Sequence, residues 1–245
     1  MSLPLLRAKT LDILKSEEKP PPSPWRWPSL SDRVTINGRT GSGKTVFGTW
    51  LLSNARFDLQ PFVILNLKRE ELFRQIRRAI PIDISEGVPK KPGLYHAEPL
   101  PTEPDAIERW LWGVWNNGKT GLFIDEGYLM PDFGALKAIL TTGRSLQIPV
   151  YTLSQRPVRL PRFVVSEADF YAMFHLNDDR DRKTVSEFTP KDHDVWADME
   201  RRLPPYQSRW YDVSQDFSCF LKPAPKIEAI LERFEKRLTP RQTWL

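Results

Sequence analysis

The chain has 245 residues, of which 40% are hydrophobic and 27% are charged, so it is long and apolar enough to form a full globular core. Its single cysteine, Cys219, excludes an intrachain disulfide, and no stretch approaches the roughly 20 apolar residues that a membrane span requires. The formal net charge of +5 favours polyanionic partners without identifying one. We therefore expect an intracellular protein with no membrane segment of its own.

Residues 1–30 are predicted to form an N-terminal helix and a proline-rich arm. A short helix is expected between Leu5 and Lys15. The stretch 19–28 cannot be a helix or a central strand, because its prolines fix φ and remove backbone donors. Trp25 and Trp27 on this arm can dock on the core of the chain or on a neighbouring subunit, and the pattern favours the first.

A phosphate-binding motif follows the arm. The sequence from Gly38 to Thr45 fits the pattern G-x-x-x-x-G-K-[ST], between a predicted strand at 33–37 and a predicted helix at 45–52. Its glycines allow backbone amides to turn toward one anion, next to the positive end of the helix dipole. Lys44 would reach the β- and γ-phosphates of ATP, and the Thr45 hydroxyl would bind Mg²⁺. The predicted nucleotide-binding residues are Gly38, Arg39, Thr40, Gly41, Ser42, Gly43, Lys44 and Thr45.

The next elements alternate between strand and helix. The apolar run at 62–66 is typical of a strand that is buried on both faces, and residues 70–79 are predicted to form a charged surface helix. A strand is expected at 93–97. Thr102 is expected to be the N-cap of a helix that has a proline in its first turn and ends near Gly118.

A second candidate motif lies where an apolar strand, 122–125, ends in two acids. Asp125 would hold Mg²⁺ through water, and Glu126 would orient and deprotonate the attacking water. Both side chains can reach the phosphate loop, because the carboxyl ends of parallel strands meet at one edge of a sheet. A carboxylate base in this place favours hydrolysis over phosphoryl transfer to a small molecule.

The strand expected at 148–153 ends in Ser154-Gln155-Arg156-Pro157. Gln155 can contact both the γ-phosphate and the attacking water, and so report hydrolysis to the rest of the fold. The alternative is an ordinary turn that is stopped by proline.

Arg144 follows a helix predicted at 133–142. It could enter the ATP site of a neighbouring subunit as an arginine finger, because a guanidinium is always charged and binds phosphate oxygens in a fork. It could equally be a residue that compensates the dipole at the end of its helix. Other arginines compete for the finger role: Arg156, Arg162, Arg180 and Arg182.

The C-terminal part is predicted to contain a strand at 169–175, a helix at 180–188, a hairpin at 209–213 and 217–221, and a helix at 227–238. Alternating strands and helices predict an α/β fold, with a mainly parallel sheet covered by helices on both faces. We assign the core to 31–190 and a hairpin and helix that complete the domain to 191–245.

The order of these motifs over residues 31–190 resembles the FtsK–HerA superfamily of P-loop ATPases, most closely the genome-packaging ATPases of tailless viruses with an internal membrane. The resemblance implies a RecA-like core, a homo-oligomeric and commonly hexameric ring, and ATP-driven movement of double-stranded DNA. It also implies that Arg144 is a trans-acting arginine and Gln155 a sensor. A capsid vertex or membrane partner, and a location in the host cytoplasm or the virion, would follow.

Three alternatives remain open from the sequence. The first is a phage assembly or secretion ATPase of the same superfamily. The second is a small-molecule kinase built on the same loop, which Glu126 disfavours. The third is a scaffold that binds nucleotide without hydrolysing it. The candidates for DNA-gripping pore loops are the segments 81–101 and 156–162.

Overall fold

Nine strands form a single sheet in the computed structural model, which describes residues 25–132, 134–189 and 202–238. The strands are β1 (Arg33–Asn37), β2 (Pro61–Asn66), β3 (Ile80–Pro81), β4 (Gly93–Ala97), β5 (Gly121–Asp125), β6 (Val150–Ser154), β7 (Phe170–Met173), β8 (Ser208–Asp212) and β9 (Phe217–Leu221). Their order is β3-β4-β2-β5-β6-β1-β7-β8-β9. Strands β1 to β7 are all parallel, and β8 and β9 add an antiparallel hairpin at one edge. The predicted fold class is confirmed.

Helices cover both faces of this sheet. They are α1 (Lys44–Ser53), α2 (Glu71–Arg74), α3 (Pro104–Asn117), α4 (Ala135–Thr142), α5 (Arg162–Ser166), α6 (Asp179–Ser186) and α7 (Ile227–Leu238). In the part of the chain that the structure describes, none of them is long and apolar enough to cross a bilayer.

Strand β2 illustrates why the core has two halves. Successive side chains of a strand point to opposite faces. Phe62 and Ile64 therefore join an apolar cluster on the face of α1 and α7, whereas Val63 and Leu65 join a second cluster on the face of α3, α4 and α5. The continuous apolar run that the sequence shows at this strand is explained by burial on both faces.

Two predicted helix limits are wrong. The helix expected at 70–79 ends at Arg74. Two successive turns follow it, in which the Ile76 amide donates to the Phe73 carbonyl and the Ala79 amide donates to the Ile76 carbonyl. The helix expected to be capped by Thr102 has Glu103 as its N-cap, because Pro104 occupies the first helical position.

The described part of the arm packs on the chain itself. The ring of Trp25 lies 5.1 Å from that of Trp210, and the ring of Trp27 lies 5.2 Å from that of Trp50. Docking on the chain's own core, which the sequence favours, is confirmed. The helix predicted between residues 5 and 15 lies outside the described residues, and the division of the chain at residues 30 and 190 stays a prediction.

Candidate active site

The phosphate-loop motif lies between the end of β1 and the start of α1, as the sequence predicts. Gly41 and Gly43 have φ angles of 76° and 95°, which a side chain would make strained. Helix α1 begins directly afterwards at Lys44. Since the first amides of a helix have no acceptor within the helix, this loop and helix start together form an anion-binding site.

Backbone hydrogen bonds fasten the start of the loop to the strands on either side of β1. The Gly38 amide donates to the carbonyl of Ser154 at the end of β6 (3.1 Å). The Arg39 amide donates to the carbonyl of His175, two residues after β7 (3.0 Å). The position of the loop is therefore set by the sheet, and movements of β6 and the loop are linked.

Lys44 and Glu126, which the sequence predicts from separate motifs, are in contact. Lys44 Nζ lies 3.2 Å from Glu126 Oε1, and both side chains are buried. The ammonium of Lys68 lies 3.5 Å from the same oxygen. One carboxylate oxygen is thus shared by two ammonium groups, and the set of three side chains keeps a net positive charge that can attract a phosphate group.

The backbone of Glu126 is in the left-handed region, with φ 59° and ψ 66°. This conformation is uncommon for a residue other than glycine and typically costs about 1–3 kcal/mol, so it persists where the surrounding structure enforces it. Here the second carboxylate oxygen accepts a hydrogen bond from the Gln155 amide at 3.2 Å. The carboxylate is consequently held between the loop lysine and the end of β6.

Asp125 is the last residue of β5 and is buried, and its Oδ2 has no hydrogen-bond partner among the described residues. Burial raises the pKa of this carboxyl to about 7, the charge of Glu126 adds to the rise, and Lys44 and Lys68 oppose it. An unsatisfied carboxylate of this kind is a potential cation ligand.

The other predicted magnesium ligand, Thr45, is the second residue of α1. No group of three or more His, Cys, Asp and Glu side chains could hold a metal among the described residues. One carboxylate and one hydroxyl suit Mg²⁺, which in nucleotide sites keeps water and phosphate oxygens as its remaining ligands. The residues present therefore fit a nucleotide-bound magnesium ion.

Gln155 connects three parts of the site. Its amide donates to Glu126, its side-chain Nε2 donates to the Tyr128 hydroxyl at 3.0 Å, and its Oε1 accepts from the Thr40 hydroxyl at 2.5 Å. The hydrogen bonds of Gln155 therefore connect the phosphate loop to the carboxylate and to the end of β6. The amide side chain is suited to this role because it both donates and accepts.

Sequence reasoning missed Lys68 and Tyr128. Lys68 lies two residues after the end of β2, and Tyr128 lies two residues after Glu126. Both positions directly follow strands that end at the same edge of the sheet. Examining every polar residue just after each predicted parallel strand would have found them.

Arg144 lies at the opposite edge of the sheet, away from the loop. It follows α4, its side chain is 60% exposed, and its guanidinium contacts Asp169, which precedes β7. Five-residue strands separate the two edges by about 16 Å. Arg144 therefore does not belong to the site of its own chain, and a role in a neighbouring subunit stays a prediction.

The four arginines that compete with Arg144 for the finger role differ in their exposure and in their ion pairs. Arg182 is buried and donates to the Leu176 carbonyl at 2.6 Å. Arg156 pairs with Asp181 at 2.9 Å. Arg162 and Arg180 are about four-fifths exposed and make only long ion pairs of 3.8 and 3.7 Å. Arg156 and Arg182 are thus engaged in holding the fold.

No protein-family model matches the chain. The chain is similar to the DNA packaging ATPase P9 of Enterobacteria phage PRD1, with 38% identity over 224 residues that cover 89% of this chain and 98% of that protein.

Solved structures with the same fold include two from distant sources. The genome packaging NTPase B204 from Sulfolobus turreted icosahedral virus 2, in complex with AMPPCP, has a TM-score of 0.63 and 20% identity, over 81% of this chain and 100% of that chain. VirB4 of Thermoanaerobacter pseudethanolicus has a TM-score of 0.57 and 10% identity, over 79% of this chain and 90% of that chain. At these identities the likeness establishes the fold alone.

Proposed function

This chain belongs to the family of viral DNA-packaging ATPases that includes P9 of phage PRD1, and from that premise we propose that it is a ring-forming motor that uses ATP hydrolysis to move double-stranded DNA into a capsid. The predicted resemblance to packaging ATPases within the FtsK–HerA superfamily is confirmed. The roles of individual residues, the ring and the docking partner are our proposals.

The observation that carries the hydrolytic mechanism is the contact between Lys44 and Glu126. In the structure these two charges form an ion pair. Triphosphate oxygens in the loop would attract Lys44 more strongly, because they carry a larger negative charge. Glu126 would then be free to orient a water molecule and accept its proton as that water attacks the γ-phosphorus.

Thr45 and Asp125 would hold Mg²⁺, Thr45 through its hydroxyl and Asp125 through water. Bound there, the ion would neutralise charge on the phosphate oxygens. The unpartnered Oδ2 of Asp125 supports this assignment. Filling the site would favour the ionised form of that carboxyl, which burial otherwise disfavours.

Gln155 would report the state of the phosphates. Its contacts with Thr40 and Glu126 mean that a γ-phosphate between them must alter the hydrogen bonds of the glutamine. The next residue, Arg156, pairs with Asp178 and Asp181 around the start of α6. A movement of Gln155 would therefore reach the basic surface that the segment 156–162 forms after β6.

DNA would be gripped by basic side chains on that surface. Arg159 and Arg180 are exposed and lie near each other in the fold, because the turn at 157–159 packs against α6. A packaging motor has to act on any sequence, so contacts with phosphates rather than with bases are required. Of the two pore-loop segments considered above, this geometry favours 156–162.

In the proposed ring, each subunit supplies its Arg144 to the ATP site of a neighbouring subunit. An exposed guanidinium at the edge of the sheet opposite the phosphate loop can act on ATP only in a neighbouring copy. We assign to it the stabilisation of charge on the γ-phosphoryl group across the subunit boundary. A hexamer, a capsid vertex or membrane docking partner, and a location in the host cytoplasm or virion complete the proposal.

The test is orthophosphate release by the full chain with Mg²⁺ and ATP, with and without linear duplex DNA. We expect duplex DNA to stimulate release several-fold and Lys44→Ala to abolish it. Release that DNA does not stimulate would favour an assembly or secretion ATPase. A phosphorylated acceptor in place of orthophosphate would favour a kinase, and no release under any condition would overturn the motor.

A further inference from the structure

A cavity of about 260 Å³ opens beside the phosphate loop. One wall is the loop itself, with Arg39 and Ser42, and the opposite wall is the segment 203–207, which precedes β8. His175, which anchors the loop through its carbonyl, also lines the cavity. The segment 203–207 has no part in the contacts among Lys44, Glu126 and Gln155 described above.

The sheet order places this cavity where a nucleoside must go. Strands β6 and β5, which carry Gln155 and Glu126, lie on one side of β1, and β7 and β8 lie on the other. The γ-phosphoryl group has to point toward Glu126 to be hydrolysed. A triphosphate that wraps the loop between the two sides therefore directs its sugar and base toward β7 and β8, and toward the cavity.

Tyr206 is held over the loop by an unusual turn. The Gln207 amide donates to the Pro204 carbonyl at 3.2 Å, and Pro205 and Tyr206 are the central residues. Tyr206 has a φ of 63° at the second central position, where a type II turn normally has glycine. A bulky aromatic residue is an outlier in this conformation, and such strain is concentrated at functional sites.

Burial does not explain this placement, because Tyr206 is 59% exposed. Its ring lies directly against the loop, and a Cβ added to Gly43 would come within 3.2 Å of its Cδ1 atom. One edge of the ring touches the phosphate-binding backbone, and much of the rest faces solvent. An aromatic face in this position can stack on a flat ring system.

We propose that Tyr206 and its turn form the base-binding subsite of the nucleotide, with the phenol ring stacked on a purine. Leu203, Pro204 and Pro205 supply the apolar surround. Stacking recognises the face of a base rather than its hydrogen-bonding edge. The ring should therefore increase the binding affinity of adenine and guanine nucleotides equally. The inference rests on nucleotide binding at the loop, which is part of the proposed function.

The experiment compares ATP with inorganic tripolyphosphate, which has the phosphates without the base. Binding of each to the full chain is measured by titration calorimetry at constant Mg²⁺. We expect Tyr206→Ala to weaken the binding of ATP and GTP about tenfold, which is within the range of stacking on an aromatic residue. The affinity for tripolyphosphate should be unchanged. Tyr206→Phe should bind ATP as the wild type does.

Two further variants keep the result interpretable. Tyr206→Gly removes the ring and also relieves the turn, since glycine adopts positive φ without strain, so it should fold and lose the same tenfold. Phe220→Ala removes an aromatic side chain of similar exposure, 55%, on β9 and should change nothing.

The outcomes separate this inference from the proposed function. If the variants without the ring bind ATP as tightly as the wild type, the base-binding role is overturned. It is also overturned if the variants without the ring lose as much affinity for tripolyphosphate as for ATP, because Tyr206 would then support the loop rather than the base. If the wild type binds neither ATP nor tripolyphosphate, the nucleotide site itself fails, and this inference with it.

Discussion

The two edges of the parallel sheet hold their charges differently. At the amino edge, the Arg33 guanidinium is buried and bonds to Asp169 at 3.0 Å and to the Leu140 carbonyl at 2.7 Å. Asp169 also accepts a hydrogen bond from the Arg33 amide. At the carboxyl edge, Asp125 has an oxygen without a partner, and Glu126 is held in a strained conformation.

The difference shows what each edge is for. A buried ion pair whose remaining donors and acceptors are satisfied holds its elements in one arrangement, and little is gained by disturbing it. Charges that are left partly unsatisfied, with a carboxyl pKa raised by burial, are typical of a site that a ligand completes. The Arg33–Asp169 pair at the amino edge supports the fold, and Asp125 and Glu126 at the carboxyl edge form the site that we propose for magnesium and phosphate.

The largest effect that we expect from a substitution at the amino edge is a loss of activity in the assembled ring. Arg144→Ala should lower ATP turnover by about 10³-fold, as the loss of an arginine finger does, because the γ-phosphate of the neighbour loses its cation. The free energy of unfolding should change by less than about 1 kcal/mol, since the side chain is 60% exposed. Steady-state orthophosphate release and thermal unfolding are the measurements.

Mixing subunits separates an action on the neighbour from an action on the same chain. Rings that contain both Arg144→Ala and Lys44→Ala subunits should regain part of the activity, because some interfaces combine an intact arginine with an intact lysine. Mixed rings that assemble yet stay inactive would contradict a finger acting between subunits.

At the carboxyl edge, Glu126→Gln should lower turnover by about 10²- to 10⁴-fold, which is the usual contribution of a general base. ATP affinity should be equal to or higher than that of the wild type, because Lys44 no longer has to leave a carboxylate. Single-turnover hydrolysis and equilibrium ATP binding test both parts. The exposed Glu103→Gln is the matched control, and wild-type turnover in Glu126→Gln would remove that residue from its role.

Asp169→Ala should instead act mainly on stability. It leaves the buried Arg33 guanidinium without its carboxylate, which typically costs about 3–5 kcal/mol, or a Tm lower by roughly 6–20 °C for a chain of this size. Asp58→Ala removes a carboxylate from exposed ion pairs and should change stability by less than about 1 kcal/mol. Equal thermal shifts in the two variants would contradict the contrast between buried and exposed pairs.

A further effect at the carboxyl edge concerns the pH dependence of the nucleotide-free protein. Because the pKa of Asp125 is raised to about 7, the folded state binds the proton more tightly than the unfolded state does. The associated stability is fully present below the unfolded pKa, near 4, and is lost as the pH rises through about 7.

Asp125→Asn removes this loss, so the variant should unfold at a Tm several degrees above that of the wild type at pH 8, with the difference vanishing near pH 4. Mg²⁺ with ATP should stabilise the wild type and have less effect on the variant. A thermal difference that is independent of pH would contradict the raised pKa.

Local patterns explain which elements could be predicted. The helix at 227–238 has its predicted limits, because its apolar residues recur at helical spacing and a proline follows. The strand at 62–66 was predictable from its uninterrupted apolar run. The limits predicted for the helix at 70–79 were wrong because the composition of this stretch suits a surface helix. In the structure, Phe73 in α2 and Ile76 in the turns that lead into β3 are both buried.

The same distinction holds for the site. The loop, Asp125 and Glu126 could be found because their motifs are contiguous along the chain. Lys68, Tyr128 and Tyr206 belong to no motif, and each reaches the site from a different strand end or turn. Nothing local in the sequence relates these three residues to the phosphate loop.

The phosphate loop between strand and helix, the pair of carboxylates and the alternation that predicts a parallel sheet could be identified from the chain alone, because each is specified by neighbouring residues. The folded arrangement was needed to show that Lys44 faces Glu126, that Arg144 lies at the opposite edge, and that a strained tyrosine lies against the loop. These relations depend on the order of the strands in the sheet, and that order is set by packing between segments far apart in the chain.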